Sequence, residues 1–148
     1  MRYGDEATGC ETRFMSGAEP GLLQLEGSLG VVLPDDYRQF LSASDGLIEE
    51  MPQAYVELWA LDDVVTIHDS DAYGLDESLP GLLLIGGDGG GELLAFDLRQ
   101  APFRLVLVNA ISASWSEAAY QADSLTDLLA HLRAGGEFSF ESDGTRAP

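Results

Sequence analysis

Two segments constrain the fold of this chain more than any other feature. The first, LPDDYRQFLSASDG, spans residues 33–46, and the second, LLLIGGDGGGELLAFD, spans residues 82–97. The first is typical of a helix, because proline suits the first helical turn and the aspartates after it complement the positive end of the helix dipole. The second is typical of two apolar strands joined by a glycine-rich turn. The chain is therefore predicted to contain both helices and strands.

The landmarks of the first segment predict structural roles. Pro34 opens the helix, and Tyr37, Phe40 and Leu41 follow at spacings that place them on one buried face. Gly46 is placed to end the helix in a left-handed cap.

Periodicity predicts further elements on both sides of these segments. They are a weak helix from Glu19 to Gly30, hairpin strands at 47–48 and 55–59, a short helix capped by Asp62, a surface loop at 74–81, strands at 82–85, 92–98 and 103–108, and a helix from Ser124 to Gly135. Residues 1–17 and 137–148 are predicted to be a loose arm and a polar tail. Residues 18–136 are expected to form one domain, in keeping with the length of the chain.

The charge balance limits the kinds of partner that the chain can bind. Acidic residues outnumber basic ones 26 to 7, the formal net charge is −19, and every basic residue is arginine. Binding to a polyphosphate requires neutralisation by Lys and Arg, so nucleic acid and anionic membranes are excluded as partners. A cationic partner is favoured through electrostatic steering, although the charge is equally compatible with a role in solubility alone.

The cysteine count and hydropathy point to one compartment. Cys10 is the single cysteine, so no intrachain disulfide can form. The N-terminal residues are polar, and no apolar run approaches the roughly twenty residues that span a bilayer. A cytoplasmic location is predicted.

The glycine-rich turn is the first candidate for a chemical site. A phosphate-binding loop needs a Lys and a Ser or Thr at its end and a helix after it, but residues 86–91 lack both side chains and precede a predicted strand. Glycines that supply positive φ in a turn are favoured instead. A partner that approaches the bare backbone closely remains an alternative.

Metal binding and catalysis are weaker candidates. Asp88 and Glu92 bracket the turn, but the regular spacing of an EF-hand is absent. One cysteine with His68 and His131 does not make an ordinary zinc site, so neither a metal nor another cofactor is expected. No nucleophile has a base nearby in sequence, although a pair of carboxylates for glycoside hydrolysis is left open.

The two tryptophans have two interpretations. Trp59 and Trp115 lie in otherwise apolar segments, so packing in the core is favoured over a role as interface anchors.

The order of these motifs resembles the SMI1/KNR4 family, also called the SUKH superfamily. The resemblance covers residues 19–134: LPDDYRQFL, SDG, a strand leading to Trp59-Ala60-Leu61, LLLIGGDGGGELLAFDL and a terminal amphipathic helix. The positions that match the family motif are interpreted as fold determinants. They are Pro34, Tyr37, Phe40, Leu41, Gly46 and Gly91.

The resemblance implies an α+β fold in which helices pack on one mixed or mostly antiparallel sheet. Bacterial members of the family are regarded as immunity proteins that neutralise toxins, often nucleases, of polymorphic toxin systems, and fungal members act as regulators and scaffolds. A non-enzymatic immunity protein is therefore expected here. A regulatory or scaffold module that binds a host protein, and a small enzyme acting on a cationic or sugar substrate, are the alternatives.

The acidic composition leads to a hypothesis about the toxin-binding face. A toxin that acts on nucleic acid presents a basic groove, which an inhibitor rich in carboxylates can occupy. The residues predicted to supply that face are Glu49, Glu50, Glu57, Asp62, Asp63, Asp69, Asp71, Asp76 and Glu77.

Overall fold

The computed structural model describes residues 18–44 and 46–140 of the chain. The backbone divides into two compact units, residues 1–45 and residues 46–148. The predicted N-terminal arm, with Cys10, and the last eight residues of the predicted tail lie outside the described residues.

The first unit contains two helices, α1 (Ala18–Leu29) and α2 (Asp35–Ala43). Leu22 and Leu25 are buried, as the spacing predicts, and α1 ends at Gly30, whose φ of +75° suits a glycine cap. The helix predicted between Glu19 and Gly30 is confirmed.

Helix α2 begins one residue later than predicted and ends earlier. Pro34 lies immediately before its first residue, and Tyr37 and Leu41 are buried. The prediction that Gly46 caps this helix is wrong, because Ser44 is already extended. Gly46 has a φ of +104°, and a Cβ there would lie 2.8 Å from the carbonyl oxygen of Leu58, so its glycine serves a close approach between backbones.

The second unit contains a six-stranded antiparallel sheet in which each strand pairs with the next strand along the chain. The strands are β1 (Leu47–Met51), β2 (Ala54–Leu58), β3 (Leu82–Gly87), β4 (Glu92–Asp97), β5 (Arg104–Asn109) and β6 (Ala119–Ala122). Strand β6 was not predicted from the sequence. The α+β class with a mostly antiparallel sheet is confirmed.

Two further helices belong to this unit, α3 (Leu61–Ser70) and α4 (Leu125–Arg133). Helix α3 contacts β3, and α4 contacts β6. The Ser124 hydroxyl accepts the Asp127 N–H at 3.0 Å, which confirms the predicted cap of α4. Asp62 does not cap α3, because that helix begins at Leu61 and Ala60 occupies the capping position.

One face of the central strands is covered by the segment that connects α3 to β3. Leu75 and Leu79 of this segment are buried in a cluster with residues of β4 and β5 and with Trp115. The prediction of a surface loop at 74–81 is therefore wrong at these two positions, where leucine side chains form part of the core. Trp115 lies in a short 3-10 helix, Trp115–Glu117, and its predicted core packing is confirmed by an exposure of 3%.

The other face of the central strands is also apolar. Its side chains include Leu94 and Phe96 of β4 and Leu105 and Leu107 of β5, which pair across the two strands and are fully buried. Because both faces are buried, these strands are apolar almost throughout instead of alternating.

Candidate protein-binding surface

The ion pairs of the arginines show which carboxylates have a neighbouring positive charge. Of the four arginines among the described residues, Arg38, Arg99 and Arg133 form ion pairs with acidic side chains. The fourth, Arg104, lies over the ring of Tyr120 at 4.8 Å. Most acidic side chains of the described residues therefore have no ion pair with an arginine of the described part of the chain.

Glu49 is one of the few compensated carboxylates. Its two oxygens accept bonds from Arg133 at 2.8 and 3.1 Å, which links β1 to α4. The hydrogen bond from Arg133 lowers the pKa of the Glu49 carboxyl from its ordinary value. Glu49 therefore has a partner within the chain, and its side chain points to the opposite face of the sheet from that of Glu50.

Strands β1 and β2, at one edge of the sheet, bring four side chains together on one open face. Glu50 lies opposite Tyr55, and Ile48 lies opposite Glu57, in adjacent pairs of the β1–β2 register. Side chains paired in this way have Cβ atoms about 5 Å apart. We call Ile48, Glu50, Tyr55 and Glu57 the outer-hairpin face.

The outer-hairpin face is apolar and acidic together. Ile48 is 65% exposed and Tyr55 is 36% exposed, and neither glutamate pairs with an arginine among the described residues. An aromatic ring beside uncompensated carboxylates is a suitable environment for a cationic side chain of a partner.

The remaining predicted acidic residues lie on α3 and on the segment after it. Asp62, Asp63 and Asp69 are exposed on the helix, and Asp76 and Glu77 are exposed on the segment.

Asp71 has a structural task in that segment. Its carboxylate accepts the backbone N–H groups of Leu75 and Asp76 at 2.9 and 3.2 Å, and its φ is +49°. The structure thus places Glu50 and Glu57 diagonally on the same face of the β1–β2 pair and directs Glu49 to the other face. It uses Asp71 to shape the segment that covers the core.

Two backbone amides of the glycine-rich turn are bonded within the turn itself. The Asp88 carboxylate accepts the N–H groups of Gly90 and Glu92 at 2.8 and 3.2 Å. Gly89 and Gly91 have φ angles of +80° and +108°, as predicted for a turn that needs glycine. Because a carboxylate already occupies these donors, the turn is a poor site for phosphate.

The histidines occupy positions that suit packing better than catalysis. His68 is half-buried in the last turn of α3. The His131 Nε2 lies 3.1 Å from the Glu137 carbonyl oxygen, and the imidazole covers Gly136. The described residues contain no group of three or more His, Cys, Asp or Glu side chains placed to hold a metal ion.

A small pocket is present in the helical unit. It has a volume of about 180 Å³ and is lined by Leu22, Asp35, Arg38, Gln39 and Ser42. Ligand pockets usually measure about 300–1,000 Å³, and the Arg38 guanidinium here is engaged by Glu26 at 2.9 Å. The pocket therefore does not resemble a substrate site.

Two exposed features escaped prediction from the sequence. Ile111 is 94% exposed in the loop after β5, and the ring of Tyr73 stacks on Trp59 with their centres 6.3 Å apart. Trp59 itself is half-buried against the core cluster. Neither position belongs to a periodic pattern, so hydrophobic spacing had no means of identifying them.

Comparison with known families decides the relationship of the chain. The model of the SMI1/KNR4 family (SUKH-1) matches residues 21–131. The chain belongs to the SMI1/KNR4 family. The match begins in α1 and ends in α4, so it includes the whole sheet and both sequence segments that suggested the resemblance.

Family membership gives the general function. Domains of the SMI1/KNR4 family are generally non-enzymatic binding or immunity modules, so a protein is the expected kind of partner. No curated protein matches the chain in sequence. Every helix of the described residues is too short or too polar to cross a bilayer.

Proposed function

We propose that this chain is an immunity protein that binds and neutralises a toxin with a basic surface in the cytoplasm. The observation that carries the proposal is the outer-hairpin face, where Glu50 and Glu57 flank Tyr55 and neither glutamate pairs with an arginine of residues 18–44 or 46–140. Membership of a family of binding and immunity domains supplies the class of function.

Electrostatics favours a toxin that acts on nucleic acid. Such a toxin needs lysines and arginines in its groove to neutralise phosphates, and the same side chains attract carboxylates. A net charge of −19 steers a cationic protein toward this chain over a distance set by the salt concentration, about 10 Å at 0.1 M. The immunity protein would itself be repelled by nucleic acid, which leaves the toxin as its partner.

Charge reversal on the outer-hairpin face tests the proposal. The test variant carries Glu50→Lys and Glu57→Lys, and the matched control carries Glu117→Lys and Glu137→Lys, two exposed acids elsewhere in the same unit. Both variants change the net charge by the same amount. The partner to use is the protein encoded by the neighbouring reading frame, with binding followed by surface plasmon resonance and inhibition followed by the growth of cells that express it.

The expected result is a loss specific to the face. The Glu50/Glu57 variant should associate about tenfold more slowly or worse and should protect cells poorly, and the control should stay close to the unmodified chain. Equal behaviour of the two variants would reject the electrostatic account. Tight binding that leaves the partner fully active would favour a regulatory or scaffold module instead.

A further inference from the structure

We propose that the chain docks its partner through a strip at one end of the sheet, with Ile111 as the apolar anchor. The strip, here called the turn strip, consists of Tyr55, Gly89–Gly91 and Ile111. The inference rests on the function proposed above and adds the place and the chemistry of the contact.

The loop that carries Ile111 is held in one conformation. The Asn109 Oδ1 accepts the N–H groups of Ile111 and Ser112 at 2.8 and 3.1 Å, and its Nδ2 donates to the Glu92 Oε1 at 2.7 Å. One side chain therefore fixes the start of the loop and ties it to β4. A fixed loop loses little conformational entropy when a partner binds it.

Two alanines of the same loop, one before Ile111 and one after it, face inward. Ala110 and Ala113 pack against the core cluster, while Ile111 itself is 94% exposed. Ala113 has a φ of +46°, a conformation that side-chain-bearing residues seldom adopt, and its N–H donates to the Asn109 carbonyl at 2.9 Å. The fold thus accepts an unfavourable backbone angle in a loop that holds an isoleucine in solvent.

Gly90 is the second observation that points to a partner. Every other glycine between residues 86 and 91 has a reason within the fold. Gly89 and Gly91 have positive φ, and a Cβ on Gly86 or Gly87 would collide with backbone oxygens. Gly90 lies outside the positive φ region, and a Cβ there would find its nearest neighbour at 3.6 Å, which is ordinary contact. Its missing side chain leaves the backbone open to close approach by another molecule.

The parts of the turn strip are continuous in space. Tyr55 lies on Gly89, where a Cβ would be 2.5 Å from the ring, and the pairing of Glu92 with Asn109 sets the two turns side by side. Three strand spacings separate Tyr55 from the loop of Ile111, a distance of about 14 Å. A strip of this length fits within the surface of about 800 Å² that each partner contributes to a standard interface.

These features indicate a protein partner with an apolar pocket surrounded by basic side chains. A single exposed aliphatic side chain is ordinary on a protein surface, but the loop of Ile111 is fixed beside the turn of Gly89–Gly91, and the Tyr55 ring lies on Gly89 of that turn. Glu50 faces the solvent beside Tyr55, and Asp88 lies within the turn. A second copy of this chain is disfavoured as occupant, because two molecules of net charge −19 repel each other.

Two substitutions test the strip without threatening the fold. Ile111→Ser removes the anchor, and Gly90→Gln places a side chain on the open backbone. The matched control is Val32→Ser, because Val32 is 70% exposed in the other unit. Each variant is checked by its unfolding midpoint and then titrated with the protein encoded by the neighbouring reading frame.

We expect Ile111→Ser to weaken the complex about thirtyfold, the effect of a hot-spot residue. Gly90→Gln should weaken it about tenfold or more, and Val32→Ser should stay within twofold, with all three unfolding midpoints near that of the unmodified chain. A complex that forms normally with both strip variants would overturn the docking surface and leave the immunity function standing.

Two other outcomes would overturn the inference in different ways. If the unmodified chain forms no complex with the neighbouring product, the proposed function fails and the occupant inferred here fails with it. If the chain instead dimerises in analytical ultracentrifugation and Ile111→Ser abolishes the dimer, the strip binds a second copy.

Discussion

The guanidinium of Arg99 lies 3.8 Å from the centre of the Trp115 ring. The same guanidinium bonds both carboxylate oxygens of Asp97, which is 1% exposed, and the indole N–H of Trp115 donates to the Pro80 carbonyl at 3.0 Å. These contacts connect the start of β3, the end of β4 and the 3-10 helix. They cover the edge of the core cluster at Trp115, and they give the buried Asp97 carboxylate the charged partner that it requires.

Removal of the Trp115 ring should destabilise the protein strongly. Trp115→Ala is expected to lower the free energy of unfolding by about 3–5 kcal/mol, the usual cost of deleting a buried aromatic side chain. Trp115→Phe should cost less, because it keeps a ring beneath Arg99. Its remaining cost comes from the lost hydrogen bond to the Pro80 carbonyl. Urea unfolding measures both, with the exposed substitution Glu117→Ala as control. A loss for Trp115→Ala no larger than the control would mean that the ring is not part of the core.

Two glycine-to-alanine substitutions should change the free energy of unfolding in opposite directions. A Cβ at Gly86 would collide with the Glu57 carbonyl oxygen on β2, so Gly86→Ala should separate the two strands and lower stability by about 1–3 kcal/mol or more. Gly27 lies in the last turn of α1 with nothing within 4 Å of its Cβ position, and Gly27→Ala should raise stability by about 0.5–1 kcal/mol. Thermal unfolding of both variants compares them directly. A neutral Gly86→Ala would contradict the close approach of β2 and β3.

The bond between Glu49 and Arg133 should contribute to stability only above acidic pH. The pKa of the Glu49 carboxyl is lowered in the folded state, so its contribution is present above the unfolded pKa and is lost as the pH falls through the folded pKa. Glu49→Gln should therefore be less stable than the unmodified chain at neutral pH and equal to it in acid. Denaturation curves across this pH range test the prediction. Glu50→Gln, on the same strand and with no arginine partner in the described part of the chain, is the matched control.

Among the described acidic residues of the helical unit, Glu26 should cause the largest loss of stability when it is substituted. Its buried carboxylate accepts the Leu33 N–H at 2.8 Å and the Arg38 Nε at 2.9 Å. Glu26→Ala leaves the buried Leu33 donor without an acceptor, at an expected cost of about 1–3 kcal/mol. Glu26→Gln keeps an acceptor oxygen and should cost less. Chemical denaturation ranks the two variants, and the exposed substitution Gln24→Ala sets the baseline; if all three agree, the buried bond contributes nothing.

Local patterns predicted most of the secondary structure because their causes are local. The proline before α2, the serine cap of α4 and the glycines of the β3–β4 turn each act within a few residues, and each lies within one residue of its expected place. Strand β6 was missed because AYQA is short and half alanine, so it has little strand propensity of its own and depends on pairing with β5.

The errors arose where distant parts of the chain meet. Gly46 follows a helix in sequence, but a glycine is needed there because the backbone of Leu58, twelve positions later in the chain, passes close to it. The acidic residues were grouped by their positions in the sequence, and strand alternation then separates Glu49 from Glu50. The exposure of Ile111 depends on how Asn109 folds its loop, which no hydrophobic spacing encodes.

The joint between β2 and β3 has a consequence for the motions of the protein. Only two residue pairs join these strands, Glu57 with Gly87 and Leu58 with Gly86, whereas six residue pairs join β4 to β5. The β1–β2 hairpin is thus the part of the sheet most easily opened, and its amide hydrogens should exchange with solvent before those of the central strands. A partner that binds the hairpin must also suppress this opening. Binding should therefore slow the hydrogen exchange of the backbone amides in the β1–β2 hairpin.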